Sequence, residues 1–133
     1  MVKLVKSIYT GSDVTSLGEL SATDSIDQGI AGAITALTDA ATITPDLNAS
    51  NNFSVTLAGN RTLANPTNIT AGQSGSIFVT QDGTGSRTLA YGSYFKFAAG
   101  TAPTLSTVAA SVDRIDYVVA TTTKIHAVAS LDV

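Results

Sequence analysis

Apolar and polar residues alternate along several short segments of this chain. Residues 53–57 read Phe-Ser-Val-Thr-Leu, and residues 76–81 read Ser-Ile-Phe-Val-Thr-Gln. Successive side chains of a strand point to opposite faces of a sheet, so this alternation is typical of half-buried strands. Turns rich in Gly, Asn and Asp follow both segments. The pattern therefore predicts a β-rich fold.

A repeated tetrapeptide indicates how these strands continue. The sequence Arg-Thr-Leu-Ala stands at residues 61–64 and again at residues 87–90, after each long strand. We expect a tight turn and a short return strand in both places. Glycine accepts positive φ at little cost, so the sequence Asp-Gly-Thr-Gly at residues 82–85 favours a hairpin.

The C-terminal part of the chain predicts a second hairpin. Residues 114–120 and 124–129 are strand-like and flank three threonines. Seven or eight strands in about 90 residues fit two sheets packed face to face. The predicted fold class is mainly β, a small antiparallel β-sandwich with a jelly-roll-like topology over residues 41–133.

The first forty residues carry too few apolar groups for a core of their own. Residues 2–9 fit a short strand or an extended arm, while residues 10–28 are either disordered or ordered by lying on a partner. We interpret residues 1–40 as an N-terminal anchoring arm, extended or with a short helix. The residues expected to anchor the arm on a partner are its apolar ones: Val2, Leu4, Val5, Ile8, Tyr9, Val14, Leu17, Leu20 and Ile26.

One stretch of the arm has helical spacing. Ile30, Ile34 and Leu37 follow Ile26 at intervals of three or four residues, as on one face of a helix. Two glycines in the same stretch disfavour a helix, which leaves a packed loop as the alternative. Ile30, Ile34 and Leu37 are the candidate contacts around a threefold axis.

Composition and charge exclude several classes of function. Only 13% of the 133 residues are charged and 6% are aromatic, so part of the surface is expected to be covered by other subunits. The net charge is −3 and the basic residues are scattered, which argues against nucleic-acid binding. The chain has no cysteine and therefore no disulfide. The N-terminus has no secretory signal pattern, and no stretch approaches the roughly 18 apolar residues of a membrane span.

The residues offer little for catalysis. A hydrolase needs a base beside a nucleophile, and the only histidine is His126. Asp113, Asp116 or Ser130 could approach it, but a lone strand histidine is more typical of a surface. The acidic residues lack the spacing of a calcium loop. We therefore expect no enzyme, no cofactor and no metal.

The aromatic residues near the middle of the chain are candidates for ligand binding. Tyr91, Tyr94, Phe95 and Phe97 cluster in the sequence and could either stack on a sugar ring or pack in the core. The exposed ligand loops we expect are residues 65–73 and 91–97. Their candidate contact residues are Asn65, Asn68, Tyr91 and Tyr94.

Several longer strings resemble a known module. Residues 55–67, 72–75, 79–91 and 102–106 are similar, in order, to a module widespread among the virion proteins of tailed bacteriophages. Residues 14–26 separately resemble linker phrases of phage tail fibres. The resemblance implies a symmetric, trimeric, β-rich attachment on a phage particle.

From the short chain and this resemblance we expect a trimeric capsid decoration or cement protein that bridges shell subunits. The alternative is a neck or tail fibre protein, or a fibre tip, that binds a host glycan. A phage-borne hydrolase is a third reading. The expected partners are the major capsid protein or other virion subunits and further copies in a homotrimer, with no nucleic acid and no membrane. The expected location is the virion surface, after synthesis in the bacterial cytoplasm.

Overall fold

The computed structural model describes residues 5–10, 13–19 and 32–132 and divides the chain into two compact units, residues 1–31 and 32–133. In the first unit, strands β1 (Val5–Thr10) and β2 (Asp13–Glu19) form an antiparallel hairpin. Residues 10–28 were expected to be disordered or ordered by lying on a partner, and within them β2 pairs with β1.

The regular secondary structure of the second unit is almost entirely β-strand. A six-stranded sheet has the order β3-β5-β7-β10-β11-β9, and a three-stranded sheet has the order β4-β6-β8. The prediction of a mainly β fold is confirmed. The strands are β3 (Ile34–Ala36), β4 (Thr42–Ile43), β5 (Asn52–Leu57), β6 (Arg61–Leu63), β7 (Ser74–Gln81), β8 (Leu89–Tyr91), β9 (Phe95–Lys96), β10 (Val112–Thr121) and β11 (Lys124–Ser130), with a 3-10 turn at Ala98–Gly100.

From β3 to β8 the chain crosses from one sheet to the other after every strand. Strands β3, β5 and β7 are therefore parallel neighbours in the large sheet, and β4, β6 and β8 are parallel neighbours in the small one. This winding is that of a short solenoid, in which each coil stacks on the previous one. The antiparallel hairpins expected after β5 and β7 are crossings between sheets, and the jelly-roll detail is unconfirmed. The predicted terminal hairpin is present as β10 and β11.

The two copies of the repeated tetrapeptide lie in neighbouring coils but are offset by two residues, because Arg61 pairs with Leu89 and Leu63 with Tyr91. Arg61 begins β6, and its backbone N–H donates to Thr88 O at 2.9 Å just before β8. Arg61 binds the Asp39 carboxylate through two nitrogens at 2.6 and 2.8 Å, and Arg87 binds Asp82 at 2.7 and 3.1 Å. We call these four side chains the ion-pair ladder. Each of the two arginines is neutralised by its own aspartate.

The core lies between the two sheets. Alternate residues of β5, β7 and β10 face the small sheet, and Phe53, Ile77 and Ile115 are at most 1% exposed. Other buried apolar residues are Ile43, Leu47, Val55, Leu57, Leu63, Val79, Leu89, Phe95, Leu105, Tyr117, Val119 and Ile125. The described part of the chain contains no helix that is both long and apolar enough to cross a membrane.

Two polar side chains inside the core have their hydrogen bonds satisfied. The Gln81 amide accepts from Arg87 N at 2.8 Å and donates to Arg87 O at 3.0 Å. The Asp113 carboxylate, 1% exposed, accepts from Ser106 N at 2.7 Å, from Ser106 Oγ at 2.6 Å and from Asp132 N at 2.9 Å. A buried polar group without a partner costs stability. These bonds therefore hold Arg87 against the end of β7, and Ser106 and Asp132 against the start of β10.

The short helix considered for the end of the arm does not extend through its last residues. Ile34–Ala36 is strand β3, which pairs in parallel with β5 so that Thr35 lies opposite Phe53. Pairing with the open edge of β5 satisfies backbone groups that a helix would have satisfied internally. Whether residues 1–40 act as an anchoring arm stays a prediction.

The strand directions define two ends of the large sheet. The starts of β5, β7 and β11 and the end of β10 lie together, as shown by Gly72 N donating to Val119 O and Val119 N donating to Gln73 O, both at 2.8 Å. We call this the cleft end, because two surface clefts lie there. The ion-pair ladder lies at the opposite end, where β5 and β7 finish.

Candidate functional site

An aromatic cleft lies beside β9, at the edge of the large sheet. It encloses about 540 Å³ and is lined by Ala90, Tyr91, Gly92, Ser93, Phe95, Lys96, Phe97, Gly100 and Ala102. The rings of Tyr91 and Phe97 meet edge to face, with centroids 4.7 Å apart and planes at 66°. Phe95 belongs to the core, whereas Tyr91 and Phe97 are half-buried. Rings with one covered and one open side suit the apolar face of a ligand.

Asn65 holds the loop that forms one wall of this cleft. Its Oδ1 accepts from Tyr94 N at 2.8 Å, and its Nδ2 donates to Ser93 Oγ at 3.3 Å. A Cβ added at Gly92 would stand 2.3 Å from Asn65 Oδ1, so this close approach requires glycine. The structure thus brings together three of the predicted ligand-loop residues, namely Asn65, Tyr91 and Tyr94.

The Tyr91 hydroxyl is a buried polar group with no hydrogen-bond partner among the described residues. Burial raises the pKa of this phenol well above its usual range, and the Asp113 carboxylate raises that pKa further. The hydroxyl therefore stays protonated and keeps an unused donor. A buried hydroxyl without a hydrogen-bond partner lowers the stability of the fold. Packing of the core alone therefore does not explain why a tyrosine stands at residue 91.

Asn68, the fourth predicted ligand-loop residue, belongs to a different group. Its Nδ2 donates to Asp46 Oδ1 at 2.8 Å, and Asn48 N donates to the same oxygen at 2.9 Å. These bonds, with that from Asn68 the larger cause, lower the pKa of Asp46. Asn68 has positive φ, so its role here is to fix a turn.

A second cleft lies at the cleft end beside the start of β5. It encloses about 450 Å³, and its lining contains the side chains of Asn48, Asn51, Asn52 and Gln73. Gln73 Nε2 donates to Leu47 O at 2.6 Å and to Asn51 Oδ1 at 3.1 Å. This cleft has no charged lining residue and adjoins Gly32, where the second unit begins.

The residues predicted to anchor the arm or to meet around a symmetry axis are only partly described. Ile34 is 56% exposed on β3, while Leu37 packs against the core, so these two do not form one apolar stripe. Their trimer contacts stay a prediction. Val5, Ile8, Tyr9, Val14 and Leu17 lie on β1 and β2, and Val2, Leu4, Leu20, Ile26 and Ile30 lie outside the described residues.

The family comparison decides which class of protein this is. Residues 43–127 match the family model described as "Putative phage tail fibre C-terminal domain". The match covers more than half of the 133 residues. The chain belongs to this tail fibre family. No curated protein and no solved structure matches it.

The tail fibre domain, as matched, contains both clefts almost completely. It begins in β4, ends in β11 and includes every lining residue of the aromatic cleft. The expected resemblance to phage virion proteins is confirmed, and the chain is a structural part of the phage particle. The family favours the fibre alternative over capsid decoration.

The residues considered for catalysis do not assemble in this tail fibre domain. His126 lies exposed on the outer face of the large sheet, whereas Asp113 is buried on the inner face. Asp116 is engaged by Ser76 Oγ at 2.6 Å and by Arg114 Nε at 3.0 Å. Residues 32–132 contain no group of acidic and histidine side chains that could hold a metal ion.

Proposed function

We propose that this chain forms the host-facing end of a phage tail fibre and binds a saccharide of the bacterial surface through the aromatic cleft. Membership of the tail fibre family carries this proposal. The cleft supports it, because concave sites lined by aromatic rings and a few polar groups are the usual form of small-ligand sites.

The place of the cleft in the strand order adds to this argument. The second unit begins next to β3, at one edge of the large sheet, and the cleft lies beside β9, at the other edge. Five strand spacings of about 4.8 Å separate these edges by roughly 24 Å. A cleft so far from the point where the chain enters is well placed to meet a target.

Capsid decoration is the second candidate function. The low content of charged residues favours it, because a surface poor in charge suits burial against other subunits. Bridging of shell subunits has no support from the family, which is one of fibre domains. We therefore place it second.

Locating the protein on the particle distinguishes the two functions. Antibodies against the purified chain, used for immunogold electron microscopy of phage particles, are expected to label the distal ends of fibres. A gel of purified particles should show few copies relative to the major capsid protein. Labelling over the whole capsid, with hundreds of copies, would support decoration instead.

The saccharide is tested separately, by binding of the fluorescently labelled chain to host cells. Replacing Phe97 with Ala removes one ring of the cleft and should weaken cell binding at least about fivefold, since such a ring contributes roughly 1 kcal/mol or more. Val108→Ala is the matched control, because Val108 is 70% exposed and does not line the cleft. Equal binding by both variants would exclude the aromatic cleft.

We also propose that the domain works as a homotrimer in which Ile34 faces a neighbouring copy. Ile34 is 56% exposed and lies on β3, an edge strand of the large sheet, and an open sheet edge can pair with another chain. Light scattering of the purified chain should give a trimer mass, and Ile34→Ser should shift it toward the monomer. A monomer mass for the wild-type chain would contradict this part of the proposal.

A further inference from the structure

Basic side chains within residues 32–132 fall into two groups. Each of the three arginines, Arg61, Arg87 and Arg114, has an aspartate partner at 2.6 to 2.9 Å. Lys96, Lys124 and His126 have no carboxylate at ion-pair distance among the same residues. The arginines serve the fold, and the remaining three are available to something else.

These three unpaired residues share one corner of the molecule, which we call the basic corner. Lys96 on β9 lies directly opposite His126 on β11, and all three side chains are exposed. Adjacent strands are about 4.8 Å apart, and residues two apart along a strand are separated by about 6.6 Å, so Lys124 and Lys96 both flank His126 closely. Three cationic or protonatable groups therefore lie together on a chain of net charge −3.

Lys96 connects the basic corner to the aromatic cleft. It lines the cleft, and its ammonium group donates to Ser93 O at 2.7 Å, which holds it at the rim. One bound molecule can therefore contact the rings and the charges at the same time. Val118, 52% exposed, lies opposite His126 and extends the apolar surface.

The nearest carboxylate on this face does not neutralise the basic corner. Asp116 is the carboxylate on the same face, one diagonal step from His126, and it already accepts from Ser76 Oγ and from Arg114. An incoming anion thus meets positive charge that no carboxylate of the described residues neutralises. Charge-assisted hydrogen bonds of this kind are stronger than neutral ones.

We infer that the basic corner binds an anionic group of a surface saccharide whose sugar ring occupies the aromatic cleft. The anion is a carboxylate of a sugar acid or a phosphate of a phosphorylated polymer, since both satisfy ammonium and imidazolium donors. This inference rests on the proposed function and names the chemical class of its ligand.

Matched ligands test the inference on the purified full-length chain. Binding of oligogalacturonate, of its neutral methyl ester and of a glycerol phosphate polymer is measured by titration calorimetry. At least one anionic polymer should bind, and more tightly than the ester, with an affinity that falls as sodium chloride screens the charges. Preference for oligogalacturonate identifies a carboxylate, and preference for the phosphate polymer identifies a phosphate. Equal affinity for acid and ester, or no binding of either anion, overturns the inference.

Variants locate the site. Lys96→Gln should weaken anion binding by about fivefold, and the triple variant Lys96→Gln, Lys124→Gln, His126→Gln by about twentyfold or more, as several contacts of roughly 1 kcal/mol are lost. Arg87→Gln removes the same single charge at the opposite end of the sheet and should change affinity less than about twofold. An undiminished affinity in the triple variant overturns the inference.

Host cells separate this inference from the proposed function. If wild-type and triple-variant proteins bind host cells equally well, the basic corner is not used and the tail fibre function stands. If neither binds while both melt cooperatively, the proposed function itself fails. Binding by the wild type alone supports both.

Discussion

The two ends of the large sheet handle charge in opposite ways. At one end the ion-pair ladder matches each arginine with an aspartate, and the side chains are only 21 to 26% exposed. At the cleft end, Lys96, Lys124 and His126 stand exposed with no such partner among the described residues. The first end pairs its charges within the fold, and the second is the end that we propose meets another molecule.

Three buried polar side chains extend this comparison. Near the ladder, the buried Gln81 and Asp113 side chains have hydrogen-bond partners. Beside the cleft, the Tyr91 hydroxyl has none. The Tyr91 hydroxyl is thus the one buried side-chain polar group without a partner among the described residues, whereas Tyr117 OH, also at the cleft end, donates to Asn51 O. Substitutions at the two ends should therefore have different consequences.

The largest loss of stability is expected from Asp113→Ala. This change leaves the buried Ser106 N and other donors without their acceptor, so the free energy of unfolding should fall by roughly 3 kcal/mol. Urea titration followed by circular dichroism measures it. Asp132→Ala is the control, because it removes only an exposed bond to Val112 N and should cost much less. A loss below about 1 kcal/mol in Asp113→Ala would mean that this carboxylate does not fasten the loops.

The next largest loss of stability is expected at low pH, where the ion-pair ladder is weakened. The Arg87 guanidinium, by hydrogen bonding, lowers the pKa of Asp82 to about 2, and Arg61 likewise lowers the pKa of Asp39. A carboxylate with a lowered folded-state pKa stabilises the fold above its unfolded pKa near 3.8, and this stabilisation is lost as the pH falls through about 2. The melting temperature should therefore drop between about pH 4 and pH 2. Arg87→Gln should show a shallower drop, and an equally steep one would contradict this cause.

A smaller effect of opposite sign is expected at Tyr91. Removing the buried hydroxyl in Tyr91→Phe abolishes an unsatisfied donor, so the free energy of unfolding should rise by up to about 1 kcal/mol. Tyr117→Phe is the control, because Tyr117 OH donates to Asn51 O at 2.7 Å and its loss should destabilise. Destabilisation by Tyr91→Phe would show that this hydroxyl has a partner.

Substitutions in the basic corner should have the smallest effect on stability. Its residues are exposed and make no ion pair with the described carboxylates, so Lys96→Gln, Lys124→Gln and His126→Gln should each change the free energy of unfolding by less than about 0.5 kcal/mol. Chemical denaturation measures this directly. A loss above about 1 kcal/mol would assign these residues to the fold and remove the contrast between the ends.

The sequence predicted the strands better than their pairing. Alternation in residues 53–57 and 76–81 identifies the faces of β5 and β7, because the side-chain period is set by the strand itself. It carries no information on which strand lies beside which. The repeated Arg-Thr-Leu-Ala fits return strands of hairpins, and its two copies are offset by two residues in the stacked coils, so the repeat did not give the pairing. Parallel pairing brings together residues that are far apart in the sequence, and local patterns carry no information about such contacts.

The candidate site was predicted in part for the same reason. Asn65, Tyr91 and Tyr94 were identified because turn residues and aromatic residues have recognisable chemistry. Lys96 and His126 were not connected, since they are far apart in the chain and meet only through the parallel pairing of β9 with β11. The one available signal was that His126 alternates with apolar neighbours, which placed it on an exposed face.

Inhibition of phage adsorption tests the central claim most directly. Host cells are incubated with purified wild-type protein or with the triple variant Lys96→Gln, Lys124→Gln, His126→Gln, and free phage is then counted after mixing. We predict that the wild-type protein blocks adsorption while the variant, with an unchanged melting temperature, does not. Equal inhibition by both proteins would contradict the assignment of the basic corner to the host-binding surface.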